Sequence, residues 1–188
     1  VLNAAKALTR LGWEVTTVGV DSRGFVNPDD VIAAMRSDTT LVSVMHANNE
    51  IGTIEPIKEI AKRVKEKGAL FHTDAVQTAG TIPVNIDELG VDFLTLSANA
   101  FYGPKGAAAL YVRKGARIFA LIDGGIQERG RRAGTENVPA CIGMGKAAEM
   151  ALKQMADRAR IVTRLRDRLI RGFIERIPML VINGDPER

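Results

Sequence analysis

One feature constrains the fold more than any other: short runs rich in β-branched and apolar residues alternate with segments that carry helix start and stop signals. That alternation predicts an α/β domain with a mostly parallel central sheet and helices on both faces. Residues 13–20 carry Val15, Thr16, Thr17, Val18 and Val20 and read as a strand. Residues 40–46 contain Leu41-Val42-Ser43-Val44-Met45, a run expected to be buried on both faces of a parallel sheet. Residues 69–73, 91–96 and 106–112 read as further strands, and 179–182 as a last one. Asn27-Pro28-Asp29-Asp30 is a helix start, with a capping Asn, Pro at the first helical position and acids in the first turn. That helix runs to about Arg36. Pro56 opens a helix that closes at Lys67-Gly68. Residues 86–89 form a short helix, and Pro139 begins a long Ala- and Met-rich one that reaches about Arg176.

Residues 1–10 read as an amphipathic helix with Val1, Leu2, Ala5 and Leu8 on one side and no capping residue ahead of it. Residues 183–188 stop in turn chemistry. The chain is therefore expected to be an internal excerpt of a longer protein. The change of character near Pro139 is the plausible architectural boundary. Cationic residues are scattered, apart from Arg129, Arg131 and Arg132 and a stretch over 158–171 interleaved with Ile161, Leu165 and Leu169. With aromatics at 5%, the basic–aromatic interleaving of a nucleic-acid groove is missing, so that stretch reads as a solvated helix face and no nucleic-acid partner is expected. No apolar run reaches membrane-spanning length, so no membrane partner is expected either. The one cysteine, Cys141, excludes an internal disulfide framework and suits a reducing cytoplasm. Its apolar neighbours make it a small buried residue rather than a nucleophile.

Three polar clusters follow the predicted strands. They are Asn48-Asn49-Glu50-Ile51-Gly52, His72-Thr73-Asp74-Ala75-Val76-Gln77 and Ser97-Ala98-Asn99. Parallel α/β sheets bind ligands just past the carboxyl ends of their strands. Singly, each cluster reads equally well as a turn or a cap; three on consecutive strands predict a site.

In order and spacing, Met45-His46-Ala47-Asn48-Asn49-Glu50-Ile51-Gly52, His72-Thr73-Asp74-Ala75-Val76-Gln77, the loop 97–106 with its Gly103-Pro104-Lys105-Gly106 turn, Gly124-Gly125-Ile126-Gln127-Glu128-Arg129 and Arg132-Ala133-Gly134-Thr135-Glu136-Asn137 are highly specific. Across essentially all 188 residues the chain resembles the cysteine desulfurases of the class V aminotransferase family, which use pyridoxal 5′-phosphate (PLP). The resemblance implies that residues 1–138 are part of a large PLP-binding domain, 139–176 a connecting helix and 177–188 the start of a small C-terminal domain. It implies sulfur transfer from L-cysteine to a protein persulfide, leaving L-alanine, for iron–sulfur cluster assembly on a scaffold protein. A selenocysteine lyase or an aminotransferase of the same fold is the alternative enzyme.

PLP is an electron sink only while its pyridine nitrogen stays protonated, which a neighbouring carboxylate favours. Asp74 is the candidate. Gln77 suits the ring's 3-oxygen, Asn49 either that region or a substrate carboxylate, and Ser97 the phosphate. Ala98 and Asn99 complete the loop against the cofactor. The resemblance further implies that Thr135 reaches a phosphate bound in a partner subunit, making a homodimer, and that His72 packs over a strand end without a catalytic role. Two departures stand out. Where the family has His-Lys, this chain has Asn99 and Ala100. Asn99 cannot titrate near neutrality, and Ala100 has no amine to carry the cofactor or shuttle a proton. No catalytic residue is therefore assigned within the chain, PLP is expected to bind non-covalently, and activity is expected to be atypical or lost. A non-catalytic scaffold that holds a sulfur-acceptor protein is the alternative from another class. Lys105 belongs to the family's turn and is not expected to replace the missing lysine.

Overall fold

The computed structural model describes residues 2–185. Val1 and residues 186–188, with the expectations placed on them, lie outside the described residues. The helices are α1 (Leu2–Arg10), α2 (Pro28–Ala34), α3 (Ile57–Glu66), α4 (Ile86–Leu89), α5 (Gln127–Gly130) and α6 (Val138–Arg176), and the strands are β1 (Leu41–Met45), β2 (Leu70–Asp74), β3 (Phe93–Ser97) and β4 (Ala108–Val112). The sheet order is β1-β2-β3-β4. β1, β2 and β3 are parallel, and β4 returns antiparallel beside β3. This is the mostly parallel α/β arrangement that the alternation predicts.

Local chemistry sets the elements. The Asn27 side chain accepts from Asp29 N at 2.9 Å, capping α2 ahead of its Pro28. Helical spacing places Ile57, Ile60, Ala61 and Val64 of α3 on one face, all buried with Phe71 of β2 and Leu94 of β3. Val31 of α2 joins that core. Asp92, fully buried, fastens the amino-terminal end of the sheet. Its Oδ2 accepts from Phe71 N at 2.9 Å and its Oδ1 from Arg113 Nε at 2.5 Å. The ends of three strands are thereby tied together by one carboxylate.

Four expectations differ from the structure. Residues 13–20 form no strand; Trp13 and Val20 are 55% and 59% exposed. A strand needs a neighbour to pair with, and β-branched composition alone does not supply one. Residues 179–182 are likewise irregular, with Met179 at a positive φ of 60°. β1 is not buried on both faces, for Val42 and Val44 pack into the core while Leu41, Ser43 and Met45 are exposed. Among the described residues β1 is the sheet edge, and only its α3-facing side is covered. Cys141 is exposed rather than buried, because α6 turns Ala140 and not Cys141 inward. Over 158–171, Ile161, Leu165 and Leu169 are all about half exposed, and the arginine stretch is the expected solvated face.

Two polar side chains in this core generate predictions. Thr73 Oγ1 is buried without a hydrogen-bond partner. Thr73→Val keeps the shape and removes the unpaired hydroxyl, so stability should rise by about 1 kcal/mol in urea unfolding; a loss would show that the hydroxyl is satisfied. Glu55 Oε2 accepts from Val26 N at 2.8 Å, and burial raises the carboxyl pKa. A carboxyl raised in the folded state loses stability as pH climbs from the unfolded value of about 4.3 through the folded one. Glu55→Gln retains an acceptor for Val26 and should be free of that loss. Its stability relative to wild type should grow with pH across that range, level off above it and show no gain below it; a pH-independent difference would contradict the assignment.

Candidate functional site

The register of the parallel strands builds the site. Met45 pairs with Asp74, and Asp74 with Thr95. Met45, Asp74 and Thr95 therefore stand abreast, β3 runs on to Ser97, and the three polar clusters gather at the carboxyl end of the sheet. Ala75 N donates to Thr95 O at 2.9 Å, and His46 N to Asp74 O at 2.8 Å, so backbone bonds bind all three ends together.

Beyond β1 the chain makes a tight turn. Asn48 Oδ1 accepts from Glu50 N at 2.9 Å and Ile51 N at 3.2 Å, and Gly52 N donates to Asn48 O at 2.9 Å. Asn49 stands exposed at the tip. Asn48 is thus the turn former, and its neighbour is left available to a ligand.

Beyond β2, Asp74 is half-buried. Its Oδ1 accepts from Val76 N at 2.9 Å; among the described residues its Oδ2 has no partner. A carboxylate held by one oxygen and open at the other fits a cationic ring N–H. Gln77 is exposed on the same turn. The donor and acceptor set therefore suits PLP.

Beyond β3, Ser97 leads into a short 3₁₀ helix, Ala98–Phe101, that carries Asn99 and Ala100. Ser97 Oγ donates to Asn99 Oδ1 at 2.5 Å. Ala98 and Phe101 are buried against Ala140, Ala147 and Ala151 of α6. A Cβ on Gly80 would lie 2.6 Å from Phe101 Cβ, and one on Gly103 2.9 Å from Ala98 Cβ. Backbone approach this close admits only glycine. The loop is thus clamped from both sides although the lysine it would present is Ala100, half-buried. Lys105 is exposed on the following turn.

Asp74, Gln77, Ser97, Ala98, Asn99 and Asn49 therefore share the carboxyl end of the sheet. Thr135 is not on one of these strand-end turns; it is exposed in the segment ahead of α6. His72 departs from expectation. It sits within β2, two residues before Asp74, rather than over a strand end. Its Nδ1 lies 2.7 Å from Ser43 Oγ on β1, and its Nε2 3.4 Å from Thr95 Oγ1 on β3. Burial lowers its pKa against the opposing pull of Asp74. Ser43 and Thr95 escaped the sequence reading. Their signal was a lone polar residue inside an apolar run, Ser43 in Leu41-Val42-Ser43-Val44-Met45 and Thr95 in Phe93-Leu94-Thr95-Leu96.

The family model for class V aminotransferases matches residues 1–188. Cysteine desulfurase IscS of Dictyoglomus turgidum is 57% identical over 184 residues, which cover 98% of this chain and 47% of that protein. A solved NifS-like protein superposes with a TM-score of 0.93 at 42% identity, over 99% of this chain and 51% of that one. The solved SspA in complex with cysteine superposes with a TM-score of 0.76 at 39% identity, over 79% of this chain and 43% of that one. The chain spans about half the length of the relatives it matches. With its polar turns gathered by register at the carboxyl end of the sheet and its loop packed on α6, the chain belongs to the class V aminotransferase family, whose members depend on PLP.

Proposed function

We propose that this chain is the cofactor-holding part of a cysteine desulfurase-like protein that moves sulfur from L-cysteine to a protein persulfide, leaving L-alanine, for iron–sulfur cluster assembly. The observation that carries the reading is Asp74, a half-buried carboxylate at the carboxyl end of β2 with one oxygen fixed by Val76 N and the other open. When bound, PLP supplies the electron sink. Asp74 holds the proton on the ring nitrogen. Gln77 and Asn49 donate on the ring-oxygen side. Ser97 turns its hydroxyl from Asn99 to the phosphate, and Ala98 and Asn99 line the loop. Thr135, exposed ahead of α6, serves the site of a partner subunit in a homodimer. Residues 1–138 belong to the large domain, α6 links it to a small one, and a reducing cytoplasm is the expected setting. The cysteine desulfurases and the cysteine complex among the relatives support L-cysteine over other amino acids.

Ala100 offers no amine, so the cofactor is held without a covalent tether and the α-proton of the substrate has no lysine to receive it. This one substitution also favours the second reading, a non-catalytic protein that keeps the fold and dimer and engages a sulfur-acceptor scaffold. A desulfurase assay on the full-length protein separates the two. PLP-dependent sulfide release supports the enzyme, and its absence with PLP bound supports the scaffold.

Tethering gives a direct prediction. In the full-length protein, borohydride treatment should leave dialysable PLP in wild type and covalently fixed PLP in the Asn99→His, Ala100→Lys double variant, measured by mass spectrometry. Covalent cofactor on the wild-type protein would mean that another amine has taken the role of the missing lysine.

A further inference from the structure

The His46 side chain has no part in the assignments above, yet it is 5% exposed and bonded into the site. Its Nδ1 lies 3.0 Å from Thr78 Oγ1, and Thr78 is itself buried. The Thr78 hydroxyl donates to Ala75 O at 3.2 Å. With that single proton committed, the bond to His46 requires Nδ1–H as donor, which fixes the tautomer. Burial lowers the pKa of His46 and favours the neutral ring. The backbone of His46 spans the same two segments. Its N–H donates to Asp74 O at 2.8 Å, and its carbonyl accepts from Glu55 N at 2.9 Å, closing the base of the turn that carries Asn49.

We propose that His46 is a positioning residue, whose Nδ1–H···Thr78 hydrogen bond latches the turn that carries Gln77 beneath Asp74 to the strand end that carries Asn49. An ordinary core histidine satisfies its ring within its own surroundings. Here the bond crosses from the end of β1 to the turn after β2, and the hydroxyl it meets is already fastened to Ala75 O. The 75–78 turn therefore has a side-chain anchor below it as well as its own backbone bonds. The consequence for the cofactor rests on the PLP reading above.

Three variants of the full-length protein test this. His46→Phe fills the space without a donor, His46→Asn places an amide N–H near the Nδ1 position, and Thr78→Val removes the hydroxyl at constant shape. Amide hydrogen exchange without cofactor should quicken over 75–79 in His46→Phe and Thr78→Val and stay unchanged in α3. In equilibrium dialysis with PLP, both variants should bind about fivefold more weakly, the size of one neutral hydrogen bond. The His46→Phe, Thr78→Val double variant should be no weaker than either single one, and His46→Asn should stay within about twofold of wild type. Unchanged exchange over 75–79 would overturn the latch. So would PLP affinity that is indifferent to His46→Phe, or no rescue by His46→Asn. If wild type binds no PLP the cofactor reading fails, and the exchange measurement still decides the latch.

Discussion

The register between β1, β2 and β3 is the constraint on which the site depends. Parallel strands can pair in many registers, and only a matched one brings three separate segments of sequence together at the carboxyl end of the sheet. Here Met45, Asp74 and Thr95 are abreast. A slip of one residue in β2 would turn Asp74 and His72 toward α3 and bring Phe71 and Thr73 to the outer side. The core enforces the register, because Phe71 is fully buried with Ile57, Ile60 and Val64 of α3. Asp92 reinforces it at the far end by accepting from both Phe71 N and Arg113 Nε. Stability and site geometry therefore share one cause.

The two faces of the sheet carry different work. The α3-facing side is apolar apart from the orphaned Thr73 hydroxyl. The other side bears linked polar groups, with Thr95 abreast of Asp74 and the Ser43–His72 pair one step beneath it. Half-buried His72 and buried His46 each have a lowered pKa. Neutral imidazoles next to the site leave its charge to Asp74, which is what a cationic ring nitrogen requires.

Much of this was legible in the sequence. The capped start at Asn27, the long helix opening near Pro139 and the polar cluster after each of β1, β2 and β3 follow from local rules that the structure obeys. The departures share a physical origin. Residues 13–20 and 179–182 have strand composition, but pairing is a tertiary event that composition does not encode. The exposure of one side of β1 and of Cys141 depends on what packs against them. His46 and Thr78 sit 32 residues apart, and no local pattern announces such a bond. The loop 97–106 was legible for a different reason. Gly103 within it packs against Ala98 and Gly80 outside it against Phe101, contacts that do not involve position 100.

The open Asp74 carboxylate and the alanine at position 100 together carry the central proposal, that this chain holds and polarises PLP through Asp74 without bonding to it through residue 100. The ¹⁵N chemical shift of ring-labelled PLP bound to the full-length protein tests this most directly. A protonated ring nitrogen in wild type that becomes unprotonated in Asp74→Ala, with the cofactor still removable by dialysis in both, is the predicted result. An unprotonated nitrogen in wild type, or a shift indifferent to Asp74→Ala, would contradict the account.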